Sequence, residues 1–282
     1  MIGPRAPEAR PNRLSGWRLA ALIAIASLLV SATQLPRLDR SPPPRRVSAP
    51  ASAVPPEPVG PLAFAAPSAS PPSASSTPAT LLRMPGPVPT HGTGKFAYAG
   101  GRGRVLGRSG PAKLFRVAVE QGTGEDVAGF AALVENTLGD PRSWVGDGAF
   151  RLRRVSGSDR ADFTVYLATR DTAGRVCEAG GTNIWARPGF YTSCRTRGKA
   201  VINLERWRLS ALTYVGARVP LSVYREYVIN HEVGHEFGHR HEGCPKRGGP
   251  APVMVQQSLD LHGCTPYAWP RRNGHRLGGP RL

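Results

Sequence analysis

The chain has 282 residues and a formal net charge of +18 at pH 7, a balance that raises nucleic-acid binding as a class. Only four of the cations are lysines (Lys95, Lys113, Lys199 and Lys246), and the arginines are spread along the whole length, many of them in the N-terminal part. No nucleic-acid module, basic helix with a reading face or aromatic–basic strand pair accompanies them, so specific nucleic-acid recognition is excluded, while contact with a cell-wall polymer or an anionic membrane surface stays open.

The opening stretch carries Arg5, Arg10, Arg13 and Arg18, and residues 19–32 then run without a charge. Basic followed by apolar is the order of an export signal, so residues 1–35 are expected to be a signal peptide or an N-terminal signal anchor. The run is shorter than the roughly 20 residues that span a bilayer, which favours cleavage, and Val30 and Ala32 suit the small positions before a cleavage site. Flanking Trp17, Thr33 and Leu35, with Arg18 snorkelling to the interface, would lengthen the span of an uncleaved anchor. Either arrangement places the remainder outside the cytoplasmic membrane, secreted or anchored.

Residues 36–93 are dominated by Pro, Ala and Ser and hold too little bulky apolar content to fold alone. They are expected to form a disordered linker. From Gly94 the pattern changes, and residues 94–282 suffice for one domain with a sizeable core.

Within that domain, residues 113–120 (KLFRVAVE) have strand-like spacing of β-branched and aromatic residues. Val127, Phe130, Val134 and Leu138 then share one face of a helix that ends near Gly139. Residues 149–155 and 161–168 alternate as half-buried strands do, the residues around Trp185 suggest a short edge strand, and residues 199–204 suggest another. Residues 222–238 have a helical repeat through Tyr224, Tyr227, Val228, His231 and His235. The order implies a mixed α/β domain: a twisted sheet, one backing helix and a helix that carries chemistry.

All four cysteines, Cys177, Cys194, Cys244 and Cys264, fall in the second half. In an oxidising compartment they form two bridges out of three pairings, and Cys177 with Cys194 and Cys244 with Cys264 close the short local loops. A four-cysteine zinc site is the rival, but neither pair has the close C-x₂₋₄-C spacing.

The chemistry concentrates in HEVGHEFGHRH, residues 231–241. Residues four apart share a helical face, so His231 and His235 direct their imidazoles at one ion, and Glu232 is placed to accept a proton from an attacking water. A straight helix would carry residue 241 roughly 9 Å beyond residue 235. Gly238 can take positive φ and turn the chain so that His241 comes back to the metal. His239, four residues after His235, is expected at the rim of the site instead.

Residues 231–241 resemble the zinc signature of metzincin metallopeptidases, and Met254 resembles their Met-turn methionine. YREYVINHEVGHEFGHRHEGCP, GPAPVMVQQS and GCTPYAWP resemble more closely still the C-terminal signature of a mostly bacterial family of uncharacterised extracytoplasmic zincin-like domains, domain of unknown function 3152. The resemblance implies a metzincin-like zincin fold with one catalytic Zn2+ held by His231, His235 and His241. It also implies Glu232 as general base, Gly238 as the turn that ends the helix and Met254 as the apolar floor. Several better-known metzincins have a tyrosine two residues after the turn methionine, where this chain has Gln256, so the oxyanion partner falls to Gln256, Gln257 or Tyr267.

The expected function is a zinc metalloendopeptidase acting on a protein or peptide substrate outside the cytoplasmic membrane, with the strand near Trp185 as a rim for an extended peptide. Two alternatives stand beside it: a catalytically weak, zinc-stabilised binding domain for wall or protein partners, and a hydrolase of a non-peptide amide.

Overall fold

The computed structural model describes residues 80–282. The expected export segment and residues 36–79 of the expected linker lie outside the described residues. Among those described, no helix is long and apolar enough to cross a membrane.

The scaffold is a mixed sheet. Its strands are β1 (Phe96–Tyr98), β2 (Val105–Leu106), β3 (Ala112–Glu120), β4 (Arg151–Arg154), β5 (Phe163–Ala168), β8 (Cys194–Thr196) and β9 (Lys199–Asn203). They run in the order β2-β4-β3-β5-β9-β8, with β1 paired to the end of β3. The centre, β4-β3-β5-β9, is parallel, and the outer pairs β2/β4, β1/β3 and β8/β9 are antiparallel. Between the strands lie helices α1 (Val127–Gly139) and α2 (Arg170–Ala179), and after β9 come α3 (Leu204–Leu209), α4 (Leu212–Gly216) and α5 (Leu221–Glu236).

Alternation divides the sheet into two faces. Phe115, Val117 and Val119 of β3 and Phe163, Val165 and Leu167 of β5 are buried in one cluster with Phe130, Val134 and Leu138 of α1 and Val228 and Ile229 of α5. Each such side chain contributes about 1.5–3 kcal/mol by leaving water. Helix α1 starts where the sequence places it because Asp126 accepts from Ala128 N and Gly129 N, satisfying donors that the first turn leaves free. The other face is covered by α2, whose Ala173 and Cys177 pack with Ala168, Val201 and Ile184.

Helix α2 is an addition to the expected single backing helix. The expected strand near Trp185 forms, but not as an edge of this sheet. Strand β6 (Trp185–Arg187) pairs with β7 (Phe190–Tyr191) in a separate hairpin, because β8 already occupies the outer side of β9.

Both expected disulfides are present. Cys177–Cys194 ties α2 to β8, and Cys244–Cys264 ties the loop after α5 to the C-terminal segment. Loops of 17 and 20 residues correspond to about 3 kcal/mol each from restricting the unfolded chain. Two disulfides fit an oxidising, extracytoplasmic environment.

The folded body starts before Gly94. Leu81 O accepts from Leu221 N at 2.9 Å, Met84 N donates to Arg208 O at 2.7 Å and Thr90 O accepts from Asp171 N at 3.1 Å. Glu120, at the end of β3, gathers this segment and α2 together. Its carboxylate accepts from Gly94 N, from Thr169 N and Oγ1, and from Thr172 Oγ1, at 2.7–2.9 Å.

Candidate metal centre

Helix α5 supplies His231, Glu232 and His235, and its axial rotation is fixed by the residue before them. Asn230 is fully buried. Its Oδ1 accepts from Ser143 Oγ at 2.7 Å, its Nδ2 donates to Ala268 O at 3.1 Å, and its backbone carbonyl accepts from Trp144 Nε1 at 2.8 Å. Three residues earlier, Tyr227 donates its hydroxyl proton to Val255 O at 3.0 Å and accepts from Gln257 N at 2.9 Å. The helix is thereby pinned on one side to the segment around Trp144 and on the other to the segment around Met254.

The helix stops where the sequence requires it to. Gly238 adopts φ +87°, and His239 N reaches back to Gly234 O at 3.1 Å. This is the closure of a left-handed helix end, in which a glycine takes the conformation that a Cβ resists. The reversal brings His241 to the other two histidines. One ligand nitrogen from each of His231, His235 and His241 lies within 4.8 Å of the others.

The three rings are presented as ligands. His231 Nδ1 lies 2.8 Å from Val253 O and His235 Nδ1 lies 2.7 Å from His239 O. A carbonyl only accepts, so in each ring Nδ1 carries the proton and Nε2 keeps its lone pair for a cation. His235 Nε2 and His241 Nε2 are 3.1 Å apart, close to the roughly 3.4 Å between nitrogens that Zn–N bonds near 2.0–2.1 Å set in a tetrahedron. Burial holds all three imidazoles neutral, pushing His231 well down, His235 down to about 4 and His241 down to a lesser degree. The donor set fits a borderline cation such as zinc.

Glu232 is buried beside the triad, and burial raises its carboxyl to about 8. A divalent cation next to it acts in the opposite direction and favours the carboxylate.

Met254 is fully buried in a turn closed by Val255 N to Pro252 O at 3.0 Å. That turn lies against α5 at Gly234, where an added Cβ would stand 2.7 Å from Met254 Sδ and 2.5 Å from Trp144 Cζ2. Val253, in the same turn, supplies the carbonyl that orients His231.

The other sequence candidates separate cleanly. His239 is outside the triad: its ring stacks on Trp144 at 4.3 Å with 15° between planes, and its carbonyl orients His235. Gln257 is fully buried and committed to the fold, accepting from Tyr214 Oη and Tyr267 N and donating to Pro252 O and Tyr267 O. Tyr267 donates its hydroxyl to Arg271 O. Gln256 lines the cavity over the triad. Trp185 is 50% exposed, so its ring is not part of the core.

That cavity has a volume of about 500 Å³ and takes part of its wall from Ser193, Cys194 and Arg195, at the edge strand β8, and part from Ser258 and Leu259. Asn183 and Thr192, at the two bases of the β6/β7 hairpin, also line it.

A model of the family described as Protein of unknown function (DUF3152) matches residues 82–269. The chain belongs to this family. The DUF3152 match takes in the whole triad, Glu232, Met254 and both disulfides, and it ends at Trp269. No curated protein and no solved structure matches the chain.

Three positioning residues that sequence reasoning missed follow from this geometry: Asn230 and Trp144, which lie outside the cavity lining, and Tyr227, which also lines it. A polar Asn directly before HEVGH, on the buried side of an amphipathic helix, was the one available signal for Asn230.

Proposed function

We propose that this protein is an extracytoplasmic zinc metalloendopeptidase of the metzincin type, with His231, His235 and His241 as the zinc ligands. Helix α5 is the active-site helix and the turn through Met254 is its Met-turn. The observation that carries this reading is the convergence of three neutral imidazoles, with one ligand nitrogen of each within 4.8 Å of the others, beside a buried glutamate, in a cavity of about 500 Å³. A structural zinc site needs no such glutamate and no such open volume.

A bound zinc ion supplies Lewis acidity to an attacking water and to the scissile carbonyl. The chain's own residues do the rest. Val253 O and His239 O hold the His231 and His235 rings in the ligating tautomer. Glu232, ionised by the neighbouring cation, takes the proton of the attacking water and returns it to the departing amine. Of Gln256, Gln257 and Tyr267, Gln256 is left to donate to the developing oxyanion, since it lines the cavity while Gln257 and Tyr267 are committed elsewhere. Strand β8 ends the sheet beside the cavity, so an extended peptide can add to its free edge, with the β6/β7 hairpin and Trp185 as the rim.

The test is cleavage of an unbiased peptide mixture by the full chain, oxidised and zinc-loaded, beside a folded, zinc-loaded Glu232→Ala variant. Cleavage by the parent and loss of at least a hundredfold in the variant is the expected result. A folded, zinc-loaded parent that cleaves nothing transfers the site to a binding domain or to a non-peptide amide.

A further inference from the structure

Resting on that reading and narrowing its substrate, we infer that the cavity selects acidic peptides and that Arg240 is the residue that reads the substrate's carboxylate. Arg240 stands in the cavity wall between His239 and the ligand His241, is exposed, and has no hydrogen-bond or ion-pair partner among the described residues. The other guanidinium of the wall, Arg195, is already neutralised: its Nε and Nη2 lie 3.0 and 3.4 Å from the two oxygens of Glu236. The single carboxylate in the lining, Glu232, is buried beside the ligands. The accessible wall therefore carries one uncompensated charge, and it is positive.

The backbone of Arg240 is set in place although its side chain is free. On one side, His239 is stacked on Trp144 and its carbonyl is held by His235. On the other, His241 belongs to the triad and its carbonyl accepts from Leu282 N at 3.3 Å. An arginine fixed at its Cα and unpaired at its fork is prepared for a bidentate carboxylate. Beside a divalent cation the same charge adds repulsion that an anionic ligand relieves.

The remaining wall does not favour a large apolar side chain. Thr182, Asn183, Thr192, Ser193 and Ser258 give it short polar groups, and Leu259 is its one exposed large hydrophobic. Over longer distances the net charge of +18 steers acidic partners toward the chain.

The probes are fluorescent peptide hydroxamates carrying Asp, or isosteric Asn, at each of the three positions next to the hydroxamate, titrated by anisotropy against the full, zinc-loaded chain. The hydroxamate anchors each probe at the metal whether or not the protein hydrolyses peptides. At one position Asp is expected to bind about tenfold tighter than Asn at low salt, with the difference lost in Arg240→Gln and inverted toward Asn in Arg240→Glu. Equal affinities at every position, a preference that survives Arg240→Gln, or no binding of either probe to the folded protein would overturn the assignment. Cleavage of the unbiased mixture is scored separately. An intact Asp preference without cleavage sinks the hydrolytic reading and leaves the charge assignment standing.

Discussion

Glu242, the residue after the third histidine, accepts a hydrogen bond from Arg276 Nη2 at 2.7 Å, and its other oxygen accepts from Gly279 N at 3.2 Å. The segment after Trp269 is thereby tied to the loop that presents His241. Gly243 N donates to Pro280 O at 2.7 Å and Glu242 and Arg281 form an isolated antiparallel backbone bridge, so the tail lies along this loop. Gly279 sits so close that an added Cβ would stand 2.0 Å from Gly243 O.

Removing residues 277–282 is therefore expected to weaken zinc binding by roughly 10- to 100-fold, the scale on which groups that orient ligands act. Competition with a calibrated chelator measures this, beside the melting temperature of the metal-free protein. Glu242→Gln loses the charge but keeps one of the two acceptor oxygens, so a smaller loss is expected from it. A truncated protein that melts normally and binds zinc as tightly as the parent would show that the tail is no part of the site's support.

Gly234 sits inside α5, where glycine costs about 1 kcal/mol relative to alanine. It is kept there by close approach: the added Cβ would meet Trp144 Cζ2 at 2.5 Å and Met254 Sδ at 2.7 Å. Methionine can give way, but the Trp144 ring is held by its bond to Asn230 O and its stack with His239. Overpacking of about 1–3 kcal/mol outweighs the gain in helix propensity, so Gly234→Ala is expected to lower the melting temperature and to shift the Met254 turn off α5. An unchanged or raised melting temperature would mean that the turn packs more loosely than its contacts indicate.

The elements that the sequence declared were those whose stability is local. Val127, Phe130, Val134 and Leu138 at helical spacing, with Gly139 near the end, marked α1, and the histidine spacing together with Gly238 marked α5 and the return of His241. Helix α2 was illegible because it turns few apolar groups to the sheet, chiefly Ala173, Val176 and Cys177, and is held largely by a disulfide and by the bonds to Glu120. Strands β1 and β2 are too short for alternation to show. The separation of Gln256 from Gln257 could not be read either. Two adjacent glutamines look alike until Tyr214, Pro252 and Tyr267 gather around one of them.

The Cys244–Cys264 bridge encloses the Met254 turn, and the loop it closes spans 20 residues. Replacing both cysteines by serine is expected to cost about 3 kcal/mol, read as a lower denaturant midpoint. Because Val253 orients His231 from within that loop, zinc affinity should fall as well. Loss of stability with zinc affinity intact would confine the bridge to the unfolded chain's entropy.

Glu120 gives the clearest pH dependence. Burial raises its carboxyl, but the bonds from Thr172, Gly94 and Thr169 together outweigh burial and hold it below its ordinary value of 4.5. A carboxylate depressed in the folded state contributes stability that is fully present above the unfolded value and is lost as pH falls through the folded one. The protein should therefore lose stability on acidification from about pH 4.5 downward. Glu120→Gln should cost about 1–3 kcal/mol at neutral pH and flatten that acid limb, since the amide has no charge to lose. Urea titrations of both proteins between pH 3 and pH 7 measure the two slopes. Parallel slopes would mean that the carboxylate does not differ between the folded and unfolded states, and that the four donors around it stabilise the fold through geometry alone.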